Sequence, residues 1–130
     1  MVLTQKRKIG DLGENVVCKF LIKHGFTVLN RNYRKKWGEI DVIAQRDKIV
    51  HFVEVKTVSH PPAGEAGETS YRPEENVHPW KLKRMSRAIQ TYLIEKNVSH
   101  ETEWQIDVAA VFLDLNNKKA KIRMTENVIM

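Results

Sequence analysis

Two short apolar runs rich in β-branched residues, residues 39–44 and 49–57, flank the polar stretch Gln45-Arg46-Asp47-Lys48, and carboxylates recur inside them. A period of two interrupted by a polar break is the pattern of a β-hairpin. Taking Arg46-Asp47 as a two-residue turn pairs Gln45 with Lys48, Asp41 with Phe52 and Glu39 with Glu54. Facing residues share one side of a sheet, so Glu39, Asp41, Glu54 and Lys56 collect on one face. Asp41 and Glu54 are then diagonal neighbours, about 7–8 Å apart at the backbone. A four-residue turn would set them directly opposite, and a three-residue turn would separate them to different faces. The other side, with Ile40, Val42, Ala44, Ile49, His51, Val53 and Val55, reads as a core face.

Crowded carboxylates repel one another unless something positive arrives. A divalent metal is such a partner. Mg²⁺ or Mn²⁺ takes a few carboxylate oxygens and keeps room for water and a substrate phosphate. It polarises a phosphoryl oxygen and lowers the pKa of a bound water. Asp41 and Glu54 are the expected ligands, and Lys56, pointing the same way, would orient the water or steady charge on the phosphate. A solvated hairpin face with a Glu–Lys pair has the same spacing, but here Val50, Phe52 and Val53 surround the charges.

The rest of the chain supplies the packing partners. From residue 6 to 24 the apolar residues Ile9, Leu12, Val16, Val17, Phe20 and Leu21 follow helical spacing, and Gly25 stops the helix. Gly13 lies mid-way along the apolar arc, where a glycine lets a helix backbone approach a sheet, and Glu14 at its edge can reach round the sheet margin. A first strand is expected at residues 27–31. Residues 58–77 hold Pro61, Pro62, Gly64, Gly67 and Pro73 and are expected to form a mobile loop. Pro79 opens a second helix carrying Leu82, Met85, Ile89, Tyr92 and Leu93 and ending near Asn97. Residues 104–113 and 119–124 complete the set as strands joined by a tight turn at Asn116-Asn117. The order α β β β α β β predicts an α/β fold, one central mixed sheet flanked by helices.

With 130 residues, 42% hydrophobic and 29% charged, the chain reads as one globular domain over residues 1–130 rather than a disordered segment. No apolar run approaches membrane-spanning length, so no membrane partner is expected. Cys18 is the single cysteine, which excludes an internal disulfide and a cysteine-rich zinc site and suits a cytoplasmic protein. The five histidines show no metal-ligand spacing. Lys plus Arg exceed Asp plus Glu by 22 to 16, a net charge of +6 that favours a polyanionic partner.

Gly38-Glu39-Ile40-Asp41 followed by Phe52-Val53-Glu54-Val55-Lys56 resembles the PD-(D/E)XK nuclease core. Over nearly the whole chain the sequence resembles the YraN-like family, small bacterial proteins related to archaeal Holliday-junction resolvases. Gly13-Glu14 matches that family's Gly-Glu-x-x-Ala helix, Arg31-Asn32-Tyr33-Arg34 its Arg-Asn-Tyr-Arg segment, Lys81 with Met85 its second helix, and Ile106-Asp107-Val108 its Phe-Asp-Val strand. Val17, Val58 and Gln105 depart from the pattern, the last two by removing positive charge. The resemblance implies a restriction-endonuclease-like fold and a catalytic set of Glu14, Asp41, Glu54 and Lys56, the three acids holding Mg²⁺ or Mn²⁺. Asp107 is expected to be structural.

The function expected from these features is metal-dependent hydrolysis of phosphodiester bonds in duplex or branched DNA. Arg31, Arg34, Lys81, Lys83, Arg84 and Arg87 are the expected phosphate contacts, and Trp37 and Trp80 could stack on bases at a branch point. The alternatives are a non-catalytic nucleic-acid-binding module of the same fold and a protein-interaction subunit. A homodimer is compatible with each.

Overall fold

The structure, a computed structural model, describes residues 4–59 and 77–128. Apart from Val58, Ser59 and Val77, the expected mobile loop lies outside the described residues. Among the described residues, two helices and five strands follow in the expected order: α1 (Gln5–Lys23), β1 (Thr27–Lys35), β2 (Gly38–Arg46), β3 (Ile49–Val58), α2 (Pro79–Glu95), β4 (Glu103–Asp114) and β5 (Lys119–Thr125). The strands lie side by side in chain order. β3 and β4 run parallel and the other neighbours antiparallel, so the sheet is mixed. The segment between β3 and β4 contains α2, as a parallel connection requires. This is the expected α/β architecture, consistent with a restriction-endonuclease-like fold. Among the described residues no helix is long and apolar enough to cross a membrane.

Both faces of the central strands β2, β3 and β4 are buried, whereas the hairpin reading gave β2 and β3 a single core face. Val17, Cys18 and Leu21 of α1 pack on Val42, Ala44, Val53, Ala109, Val111 and Leu113. Met85, Ala88, Ile89 and Tyr92 of α2 pack on Ile40, Ile43, Val50, Phe52 and Ile106. Phe52 meets Tyr92 and Trp104 edge-on, with ring centroids 5.7 Å apart in each case. Ile40, expected beside Val42, belongs to the α2 side: the two residues straddle Asp41 yet enter opposite cores. A strand that keeps strict alternation cannot do this, so β2 rotates at Asp41. Asn32, placed opposite Asp41 by the β1–β2 register, adopts φ +50° at the same level.

The ends of the elements reflect local chemistry. Thr4 caps α1, its hydroxyl accepting from the Arg7 amide at 3.1 Å, and His78 caps α2 through Nδ1, which accepts from the Trp80 amide at 3.0 Å. Gly25 closes the first helix at φ +88°, as expected. Leu12, placed on the apolar stripe from the sequence, is 45% exposed. β1 extends past the expected end to Lys35 and turns at Lys36-Trp37 into β2. The β4–β5 connection spans four residues, 115–118, rather than a two-residue turn at Asn116-Asn117. Asp114 accepts from the Asn117 amide and side chain, and Lys118 takes φ +53°.

Candidate functional site

The turn between β2 and β3 decides how the two key carboxylates meet. Asp47 and Lys48, both at positive φ (52° and 66°), form the two-residue turn, as a type I′ hairpin requires. It is one residue later than expected. The ladder therefore runs from Arg46 opposite Ile49 to Val42 opposite Val53. Its continuation would set Asp41 directly against Glu54, not diagonally, and would remove Glu39 from Glu54. The ladder stops there. Beyond that level β2 pairs only with β1, and β3 only with β4. The strands part, and Asp41 and Glu54 stand in the fork. Asp41 Oδ2 accepts from the Val55 amide at 2.8 Å, replacing the backbone carbonyl that a continued ladder would have offered.

The helices bring the remaining groups to the fork. A Cβ at Gly13 would collide with the Thr57 side chain, so α1 lies directly on β3 and carries Glu14 inward. The expected use of this glycine holds. At Gly38 a Cβ would collide with the Arg84 carbonyl, which lets the α2 backbone rest on the start of β2. Lys81, near the beginning of α2, thereby reaches the opposite wall, its Nζ 2.8 Å from Glu54 Oε1 and 3.8 Å from Glu39 Oε1. An open cleft of about 790 Å³ is lined by Glu14, Glu39, Asp41, Lys56 and Lys81, together with Arg34 and the α1 residues Lys6, Arg7 and Asp11.

The electrostatics is unusual for a surface. Glu54 is 2% exposed and Glu14 9%. Among the described residues, Glu14 Oε1 and Glu54 Oε2 are the only buried side-chain oxygens or nitrogens without a hydrogen-bond partner, and both belong to this site. Burial pushes the Glu54 carboxyl up to about 8, helped by the charge of Asp41 and opposed by the Lys81 ammonium. Burial and Asp41 also raise Glu14, while a hydrogen bond from Asn32 and the charge of Arg31, whose Nη2 is 3.9 Å from Glu14 Oε1, pull it back. Asp41 thus acts on both neighbours. The three acids do not all bring an oxygen within 4.8 Å of one another.

The other expected residues fall into groups. Lys56 is exposed and lines the cleft. Arg34 Nε lies 3.5 Å from Glu39 Oε2. Arg84 stacks over the Trp80 ring at 5.1 Å, and Trp80 is 61% exposed. Lys83 and Arg87 are exposed one turn apart on α2. Trp37 donates its indole N–H to Thr91 Oγ1 at 2.9 Å, which ties the β1–β2 turn to α2. Asn32 was read only as part of the Arg-Asn-Tyr-Arg segment, since its left-handed backbone is invisible in composition, and Lys6 and Arg7 were not assigned to the site, since their place in the cleft follows from how α1 is laid down.

A second polar cluster lies away from the fork. His51 Nδ1 is 2.6 Å from Asp107 Oδ2, and Asp107 Oδ1 accepts from Gln105 Nε2 at 2.8 Å and from the Asn127 amide at 3.0 Å. Glu126, exposed, brings a carboxylate oxygen within 4.8 Å of both side chains. Asp107 is 1% exposed, and both of its oxygens have donors, which suits a structural tie between β4 and the chain after β5.

A family model described as uncharacterised protein family UPF0102 matches residues 13–111. The chain belongs to UPF0102. The YraN-like resemblance read from the sequence is to this family. A UPF0102 protein of Campylobacter hominis is 37% identical over 121 residues, 93% of each chain. One from Campylobacter jejuni is 35% identical over 119 residues, 92% of this chain and 91% of its own. One from Caldicellulosiruptor bescii is 34% identical over 122 residues, 93% and 96%. The span matched by the UPF0102 model runs from Gly13-Glu14 through both arms of the fork to Val111, so Glu14, Glu39, Asp41 and Glu54 all fall within it.

Proposed function

We propose that this UPF0102 protein is a divalent-metal-dependent endonuclease that hydrolyses phosphodiester bonds in duplex or branched DNA. The observation that carries this reading is the pair of buried carboxylate oxygens that accept no hydrogen bond, Glu54 Oε2 and Glu14 Oε1, both within reach of the Asp41 charge at the fork. A buried carboxylate oxygen left without a donor is costly, and a hard cation that takes oxygen ligands removes the cost. Asp41 and Glu54 would hold Mg²⁺ or Mn²⁺, with Glu14 behind. Bound there, the ion supplies Lewis-acid polarisation of a phosphoryl oxygen and activation of water.

The chain's own residues account for the rest of the chemistry. Lys56, exposed at the cleft beside Asp41, orients the attacking water and stabilises charge on the phosphate in flight. Lys6, Arg7 and Arg34 line the same cleft and offer charge-assisted hydrogen bonds to backbone phosphates. Trp80 and Arg84, beside Glu39 and Lys81, form a flat surface that suits an unpaired base.

The test is cleavage of linear duplex, nicked, flapped and four-way-junction DNA with Mn²⁺ by the wild type, Glu54→Gln and Lys56→Ala. Cleavage by the wild type that both variants lose supports the reading. Equal cleavage by Glu54→Gln refutes the site, and salt-sensitive binding without cleavage would make the protein a binding module instead.

A further inference from the structure

Glu54 presents its two oxygens to different surroundings. Oε1 is 2.8 Å from Lys81 Nζ, whereas Oε2 is buried and has no partner. Lys81 was expected to contact DNA phosphate, yet its ammonium turns toward the sheet. It is held from a second side by Glu39 Oε1 at 3.8 Å, and Glu39 is itself paired with Arg34 at 3.5 Å. The contact at Gly38, where only hydrogen fits against the Arg84 carbonyl, sets the position of α2, and Lys81 lies one turn before Arg84.

We propose that Lys81 is a positioning residue for the carboxylate pair: it fixes Glu54 by one oxygen so that the other is presented, together with Asp41, to the divalent cation. This rests on the metal-dependent reading above. A carboxylate pinned at one oxygen by an ammonium cannot rotate freely about its last torsion, so its second oxygen keeps one direction. Groups that orient metal ligands in this way change metal affinity by about 10–100-fold when they are removed.

The experiment measures Mn²⁺ affinity of the full chain without DNA, by calorimetry or by the spin-resonance signal of free Mn²⁺. Wild type should bind, Lys81→Met should bind about 10–100-fold more weakly, and Lys81→Arg should recover part of the loss because it restores a charged donor. If Lys81→Met does not fold, Lys81→Gln carries the test, with the same weakening expected. Equal Mn²⁺ affinity in wild type and the Met or Gln variant overturns the role of Lys81 and leaves the metal site standing, whether or not the melting temperature falls. A wild type that binds no Mn²⁺ sinks both the metal-dependent reading and this one.

Discussion

Replacing Glu54 with Gln should stabilise the metal-free protein, and by an amount that grows with pH. Glu54 ionises near 4.5 when exposed, but in the folded chain burial, with Asp41 beside it, raises the value to about 8. For an acid whose folded pKa is raised, the favourable contribution is complete below the unfolded value and is lost as pH climbs through the folded one. Between pH 4.5 and 8 the wild type should therefore lose stability relative to Glu54→Gln. At about 1.4 kcal/mol per pH unit the loss is about 5 kcal/mol at most. In a domain of this size that is of order 10–20 °C in melting temperature. The amide keeps the shape of Glu54 and still meets Lys81, so packing is little changed. Melts of both proteins in EDTA from pH 5 to 9 measure it, since titrating groups remote from Glu54 cancel in the difference. The curves should lie closest at pH 5, separate steadily up to about pH 8 and run parallel above it, with Mn²⁺ restoring the wild type alone. Parallel curves across this range, or a wild type that gains on the variant as pH rises, would show instead that the Glu54–Lys81 pair is an ordinary stabilising salt bridge.

Asp41→Asn removes the charge that raises both Glu14 and Glu54 while keeping an oxygen to accept from the Val55 amide. Its melting temperature in EDTA should equal or exceed wild type, and it should lose most of the stabilisation by Mn²⁺. Gly13→Ala should destabilise by about 1–3 kcal/mol despite the better helix propensity of Ala, because its Cβ meets Thr57. Adding Thr57→Ala should return much of that loss, and a double-mutant cycle with no coupling would refute the close approach. Asp107→Asn should cost about 1–3 kcal/mol by weakening the bonds from His51, Gln105 and Asn127. Hydrogen exchange should then quicken at Asn127 and Val128, and unchanged protection there would count against the tie.

The elements themselves were legible in the sequence because their signals are local. A 3.6-residue apolar period marks α1 and α2, β-branched runs mark the strands, and Gly25 and Pro79 punctuate the helices where expected. Gly13 could be assigned a packing role before Thr57 was known as its partner, since a glycine within an apolar stripe has few other uses. The carboxylates Asp41 and Glu54 were legible as a pair because parity alone keeps them on one face, whether the turn is Arg46-Asp47 or Asp47-Lys48. Which turn forms was not legible. Both dipeptides are polar, and only the backbone at Asp47 and Lys48, left-handed at each, sets Asp41 against Glu54 at the point where the ladder ends.

What the tertiary structure alone decided is the environment of those charges. A glutamate in an alternating strand reads the same whether its face meets water or a helix. Here the crossover through α2 covers that face, buries Glu54 and delivers Lys81 from 27 positions away. The same holds for His51 and Asp107, which are 56 residues apart and meet because β3 and β4 run parallel in adjacent places. Local pattern determines which segments are helix or strand, since propensity and periodicity act over a few residues. Burial, register and the pairing of distant charges arise from how those segments pack, and so the chemistry of the fork belongs to the fold rather than to any one stretch of the chain.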